Sequence, residues 1–237
     1  VRRLYKRVED EVATALQAYG YYQPTVAVDL QELEAWSLTL TIKPGDQVQL
    51  RNVVLELRGQ GRDEASLNKI VNKSSLRAGV SLSHAEYETY KSSMRSRAYA
   101  IGYLDAQFTK HELRVFPGQA RADVVLSFDT GERYFFGPIT VQQDTLNPEF
   151  VQRFVKPRQG DPFEGAKLIQ MQLALSETNY FSGVSIDVQR EAVADFQIPV
   201  TVTAEPRKAA KYDFSLGFGT DTGPRVGIGA DFRRVNR

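Results

Sequence analysis

Gly20-Tyr21-Tyr22-Gln23-Pro24-Thr25-Val26, Gly102-Tyr103-Leu104-Asp105-Ala106-Gln107-Phe108 and Asn179-Tyr180-Phe181-Ser182-Gly183-Val184-Ser185 are three versions of one phrase. Each closes a helix-like run and opens a strand-like one. Tyr21, Tyr103 and Tyr180 lie 82 and 77 residues apart. A near-constant period means that one structural unit is used several times in series. This period is too long for most solenoid repeats and suits small tandem domains.

The middle unit is complete and sets the pattern. Val53, Leu55 and Leu57 alternate with Glu56 and Arg58, which is strand periodicity, and Gly59-Gln60-Gly61 ends it. A short helix is expected over Asp63–Val71. Ser83-His84-Ala85-Glu86 reads as a capping box, in which the serine accepts from an early helical N–H and the glutamate reaches back. Tyr87, Tyr90, Met94, Ala98 and Ile101 then form a helical stripe ending at Gly102. Strands over Ala106–Val115 and Asp123–Phe128 close the unit, giving the order β-α-α-β-β. The last unit repeats it: Ile139 and Val141 align with Val53 and Leu55 at an offset of 86. Asn147-Pro148-Glu149 reads as a helix start. Asp161–Glu164 is expected to start the second helix, and Val184, Ile186, Val188 and Val200–Thr203 the last two strands. The first unit has only a helix (Leu4, Val8, Val12, Leu16, Tyr19) and a hairpin (Thr25–Leu30, Leu38–Ile42). Trp36 is placed at that hairpin's edge.

From Phe214 the pattern changes. Phe214, Leu216 and Phe218 alternate with Ser215, Gly217 and Gly219, and a turn signal precedes Val226, Ile228, Ala230 and Phe232. An aromatic and aliphatic face opposite a glycine and polar face reads as membrane β-barrel strands or as an amphipathic hairpin of any antiparallel sheet.

Composition narrows the chemistry. In 237 residues, 30 basic and 29 acidic side chains leave a net charge of +1, so no global pull toward nucleic acid or anionic membrane exists. Cysteine is absent, which removes thiol catalysis, disulfides and cysteine-bound zinc, and fits cytosol or periplasm equally. No apolar run is long enough for a transmembrane helix, and Val1–Arg7 lacks the apolar core of a signal peptide. Gly217, Gly219 and Gly223 would need a following helix to cradle a dinucleotide; Pro224 and strict alternation follow instead. His84 falls in a helix cap and His111 on a strand. Glu86 and Glu164 begin equivalent helices, and capping explains both without chemistry. No catalytic, cofactor-binding or metal-binding residue is assigned, and no enzymatic function.

Tandem β-α-α-β-β units with a Gly-Tyr phrase after the second helix resemble POTRA domains, the periplasmic repeats of the outer-membrane β-barrel assembly superfamily. More narrowly, Ala18–Thr25, Ser127–Phe136 and Gly217–Val226 look like the TamA family, outer-membrane subunits of a translocation and assembly module. The resemblance implies an α+β fold of tandem POTRA domains, each a three-stranded mixed sheet with two helices on one face, followed by a truncated β-barrel hairpin. Residues 1–46 would be the C-terminal part of a first domain, 47–133 a second, 134–208 a third, and 209–237 the first barrel hairpin. It implies a role in assembling autotransporters, a location at the outer membrane with this region in the periplasm, and a TamB-like inner-membrane-anchored partner. Clients would be unfolded outer-membrane and autotransporter chains, with the outer membrane reached through the barrel. No nucleic acid is expected, and this region is expected to be monomeric. Another barrel-assembly or two-partner secretion transporter is the alternative.

A three-stranded sheet has two edges with unpaired N–H and C=O groups, to which an extended segment can add as a further strand. By analogy with the family, the strand after each Gly-Tyr phrase lies at an edge. That points to Ala106–Leu113 and Gly183–Gln189 as docking strips, with Ala106, Gln107, Phe108, Thr109, Lys110, Val184, Ser185, Ile186, Asp187 and Val188 as the candidate residues. Phe214, Leu216 and Phe218 mark the first barrel strand, over 212–220. Lacking the rest of a barrel, that strand is expected to be unpaired, disordered or annexed by a neighbouring edge.

Overall fold

The computed structural model describes residues 2–32, 36–144, 146–178, 180–208, 210–219 and 223–232; the side chains of 2–6, 32, 36, 231 and 232 lie outside the description, and with them the placement of Trp36. The backbone forms two compact units. The first comprises Val1–Tyr99 and Tyr103–Glu132, the second Ala100–Gly102 and Arg133–Arg237.

In the first unit, α1 (Arg2–Gln17) is followed by the antiparallel hairpin of β1 (Thr25–Glu32) and β2 (Trp36–Lys43). Val26 faces Ile42, Val28 faces Leu40 and Leu30 faces Leu38, so the period-2 pattern gathers the apolar side chains on one face. Next come β3 (Gln49–Arg58), α2 (Ala65–Asn72), α3 (His84–Ala100, whose last residue belongs to the second unit), β4 (Gln107–Phe116) and β5 (Arg121–Asp129). The sheet order is β3-β5-β4, with β5 parallel to β3 and antiparallel to β4. Ala122, Val124, Leu126 and Phe128 of β5 are buried together with Leu67 of α2 and Tyr87, Tyr90, Met94 and Ala98 of α3. The helical residues recur every three or four positions, the spacing that turns one stripe toward a sheet. Fully burying a side chain such as Phe128 or Leu126 stabilises the unit by roughly 1.5–3 kcal/mol each. The opposite sheet face is polar: Arg51 grips Asp123 through two hydrogen bonds of 3.0 and 2.6 Å, and Ser127 Oγ donates to Glu56.

The second unit repeats the order with β6 (Phe135–Gln142), α4 (Pro148–Gln152), α5 (Gly165–Glu177), β7 (Phe181–Val188) and β8 (Gln197–Pro206). Its sheet runs β6-β8-β7, again with one parallel and one antiparallel pairing. Ile198, Val200, Val202 and Ala204 of β8 are buried with Phe136, Phe163, Met171 and Leu175. A final antiparallel hairpin joins β9 (Ala210–Gly219) to β10 (Gly223–Phe232).

Several local expectations change. The helix expected from Asp63 begins at Ala65, because Gln60–Asp63 forms a separate 3-10 turn. Only half of the capping box forms: Ser83 Oγ accepts from the Glu86 N–H, while the Glu86 carboxylate turns to the Ser75 hydroxyl. Asp161 caps no helix; its carboxylate accepts from the Arg158 N–H and closes the preceding loop, and α5 starts at Gly165 without a side-chain cap. Asn147 caps α4 as expected, accepting from the Glu149 N–H at 2.9 Å with Pro148 in the first turn. β9 is neither unpaired nor annexed by a sheet edge, since it pairs with β10 along its whole length.

Candidate strand-docking edges

In each complete sheet the central strand is paired on both sides, which leaves β3 and β4, and β6 and β7, with one open edge each. The β3 and β6 edges are partly covered by their own chain. Leu50 N–H donates to Val80 O and Gly79 N–H to Leu50 O; Phe136 N–H donates to Asp161 O and Gly160 N–H to Phe136 O. Among the described residues no such segment lies along β4 or β7.

The ladder fixes which groups face outward. Thr130 N–H donates to Arg58 O on the β3 side, so by alternation Asp129, Ser127, Val125 and Asp123 face β4. Through the register, Gln107, Lys110, Glu112 and Arg114 then bond inward, while Phe108, His111, Leu113 and Val115 turn their N–H and C=O to the open edge. A bulge at Thr109 interrupts the row, and its hydroxyl donates to Ser127 O at 3.3 Å. In the second unit Gln189 N–H donates to Pro199 O, which makes Asp187 and Ser185 inward and Val188, Ile186 and Val184 outward. Of the ten candidate residues, Ala106 precedes the strand, Gln107, Lys110, Ser185 and Asp187 bond inward, Thr109 is the bulge, and Phe108, Val184, Ile186 and Val188 present outward groups. On β4 the outward row extends beyond Lys110 to His111, Leu113 and Val115.

Beside the start of β4, a groove of about 310 Å³ is lined by Arg95, Ser96, Tyr99, Tyr103, Leu104 and Ala106. Tyr99 is 54% exposed, whereas Tyr103 and Leu104 are buried. Arg95 holds its guanidinium 5.4 Å from the centre of the Phe108 ring, in cation–π range. In the second unit, Gln172 of α5 donates from Nε2 to the Val184 carbonyl at 2.8 Å. Sequence reasoning passed over both side chains. The signal was available: Arg95 and Gln172 lie 77 residues apart, the same spacing as Tyr103 and Tyr180.

The Gly-Tyr phrase itself serves as a clasp. Gly20 has φ +87° and its carbonyl accepts from Val48 N–H at 2.9 Å, while Leu82 N–H donates to Val48 O at 2.7 Å. Within the second unit Gly102 (φ +96°) accepts from Tyr134 N–H at 2.8 Å, and Phe163 N–H donates to Tyr134 O at 3.0 Å. A Cβ on Gly20 would lie 2.5 Å from Leu82 O, and one on Gly102 2.6 Å from Phe163 O. Only glycine meets both the left-handed backbone and this close approach. Tyr103 packs its ring against Gly61; Tyr21 and Tyr180 are half-buried. His84 shares a 2.6 Å hydrogen bond with the Tyr22 hydroxyl, and His111 is exposed on β4.

On the β9–β10 hairpin, Phe214, Leu216 and Phe218 are 75%, 82% and 78% exposed, and Val226 and Ile228 stand opposite on the same face. No helix among the described residues is long and apolar enough to cross a membrane.

Residues 1–44 match the family model described as POTRA domain, TamA domain 1. Among solved structures, the chain is similar to BamA from Haemophilus ducreyi lacking POTRA domains 1–3, at 13% identity and a TM-score of 0.54, covering 78% of this chain and 34% of that one. It is similar to Haemophilus influenzae BamA POTRA3-5 at 13% identity and a TM-score of 0.49, covering 85% and 80%. It is also similar to CdiB from Escherichia coli at 12% identity and a TM-score of 0.40, covering 79% and 33%. The chain thus spans about a third of the Haemophilus ducreyi BamA and Escherichia coli CdiB chains. With two β-α-α-β-β units whose last strand is central, and a POTRA model matching its first 44 residues, the chain carries the POTRA fold.

Proposed function

We propose that this chain is the periplasmic POTRA region of an outer-membrane protein assembly factor of the TamA type, and that it holds extended clients or a partner by adding them to its sheet edges. The observation that carries the reading is the pair of open edges on β4 and β7, each following the repeated phrase and each presenting a row of outward N–H and C=O groups. Main-chain bonding asks little of a client's sequence, which suits a factor that handles many unfolded chains. The clients are unfolded outer-membrane and autotransporter chains, and the standing partner is a TamB-like inner-membrane-anchored protein. The match of residues 1–44 favours the TamA type over another barrel-assembly or two-partner secretion transporter. The β9–β10 hairpin is assigned as the first hairpin of an outer-membrane barrel, on the strength of its one-sided apolar face. The work is binding and positioning, with no catalysis.

The test is proline placed at outward donors. His111→Pro and Ile186→Pro remove N–H groups that make no ladder bond, so the fold tolerates them. Binding of a urea-unfolded autotransporter barrel segment, read by surface plasmon resonance, falls at least several-fold in the double variant. Undiminished binding with a native circular dichroism spectrum would refute edge docking.

A further inference from the structure

The two edges are built alike but differ at one helix position. Phe108 lies opposite Phe128 on β5, and Val184 lies opposite Ala204 on β8. Val124 and Val200, at the same place in their sheets, face Leu113 and Val188. Phe108 and Val184 are therefore equivalent outward positions, each near the start of its edge strand. Over Phe108 stands Arg95; on Val184 closes Gln172, one helix position in two units.

The two side chains do opposite things to the edge. Gln172 already donates to the Val184 carbonyl and stands in front of it, so it competes for the acceptor that an arriving strand would use in that register. Among the described residues, no side chain reaches a carbonyl of β4. Arg95 lies over the Phe108 ring, and no carboxylate stands within ion-pair distance of it among the described residues. Arg95 is also one of the residues that line the groove flanked by Tyr99. Along the strands themselves, Lys110 and Arg114 of β4 both pair with Glu112 on the sheet face away from α3, whereas β7 carries Asp187 as its one charge.

We propose that β4 is the receiving edge and that Arg95 selects an extended segment with an acidic residue two positions from an apolar one, so that both side chains face α3, while Gln172 latches β7 against the same register. The arriving strand bonds to the outward groups of His111, Leu113 and Val115. Its apolar side chain enters the groove between Tyr99 and Leu104, and its carboxylate meets the Arg95 guanidinium. This rests on the edge-docking reading above and adds which edge receives and what it prefers.

The probe is a fluorescein-labelled octapeptide, Thr-Phe-Thr-Glu-Thr-Val-Thr-Phe, whose phenylalanine and glutamate share one face, with a second peptide carrying glutamine in place of its glutamate. Anisotropy titration gives affinities, and hydrogen exchange read by mass spectrometry reports which edge is protected. The expected results are protection of His111, Leu113 and Val115 rather than Ile186 and Val188, and about three- to five-fold tighter binding of the acidic peptide, the scale of an exposed ion pair. Arg95→Gln removes that preference, and Gln172→Ala adds protection on β7. Gln172→Met keeps the side-chain volume if the alanine variant loosens the unit. Equal protection of both edges in the unaltered chain, or a preference that survives Arg95→Gln, overturns the inference while edge docking stands. No binding of either peptide overturns both.

Discussion

Replacing Gly20 with alanine tests whether the Gly-Tyr phrase is a clasp or only a bend. At φ +87° an L-residue costs about 1–2 kcal/mol before any contact is counted. The new Cβ would lie 2.5 Å from Leu82 O, which is backbone and cannot swing aside. Leu82 is itself tied through its N–H to Val48 O, and Val48 N–H to Gly20 O. Relieving the overlap therefore strains or breaks at least one of these bonds, each worth about 1 kcal/mol net. Together the substitution costs about 2–4 kcal/mol, or a fall in Tm on the order of 10 °C for a unit of this size. Gly79 supplies the control: its φ is +85°, and a Cβ there meets nothing within 4 Å. Gly79→Ala thus carries the backbone cost alone. Urea unfolding of both variants, followed by circular dichroism, isolates the clasp as the difference, expected to exceed 1 kcal/mol. Equal losses at Gly20 and Gly79 would refute the clasp.

Other outcomes follow from buried and paired groups. Thr130→Val keeps the side-chain shape but deprives the buried Gly61 N–H of the Oγ1 that accepts it at 2.9 Å, and should cost about 1–3 kcal/mol in urea unfolding, with Thr130→Ser recovering most of it. Burial pushes the Tyr90 phenol up to about 12. The protonated phenol thus contributes stability that is whole below the unfolded value of about 10 and lost as pH rises through the folded one. Tyr90→Phe should flatten the alkaline fall in unfolding midpoint between about pH 10 and 12. The hydrogen bond from Arg51 holds the Asp123 carboxyl below the usual carboxylate range. Its contribution is present above the unfolded carboxyl's value and fades as pH falls through the lowered folded one. Asp123→Asn should therefore flatten the acid limb below about pH 4 in the same assay.

The repeat made the order of elements legible, because strand and helix periods differ and the phrase marks where one gives way to the other. Val53, Leu55 and Leu57 announced β3, and Tyr87, Tyr90, Met94 and Ala98 announced α3 with the stripe that the core buries. What periodicity could not settle was the use of polar side chains with more than one partner in reach. Glu86 could cap its own helix or take the Ser75 hydroxyl, and took the latter. Asp161 could cap α5 or close the loop before it, and closes the loop. The docking strips show the same limit in the backbone. An edge was foreseeable from the topology of the resemblance, but which amides face outward depends on ladder phase. Phase is set by bonds such as Thr130 to Arg58 and by the bulge at Thr109, which alternation of residue types does not encode.

β5 and β9 make the remaining point, since both alternate with the same period and meet different fates. On β5 the buried row Ala122, Val124, Leu126 and Phe128 lies under α3, the helix that the chain lays down just before the β4–β5 pair. On β9 the row Phe214, Leu216 and Phe218 follows no helix that could cover it, and stays more than two-thirds exposed. At roughly 1.5–3 kcal/mol for each such side chain, covering these three would yield about 5–9 kcal/mol, comparable to the whole stability of a small domain. A two-stranded ribbon is at best marginal by itself in water, so a face of this size acts as a demand on its surroundings. Residues on the opposite face sharpen the contrast: Gly217 pairs with Arg225, Gly227 with Ser215 and Gly229 with Asp213, so that face is small and polar while the other is apolar. Such one-sidedness suits strands with lipid on one side and a lumen on the other. It is the physical ground on which the barrel assignment stands or falls.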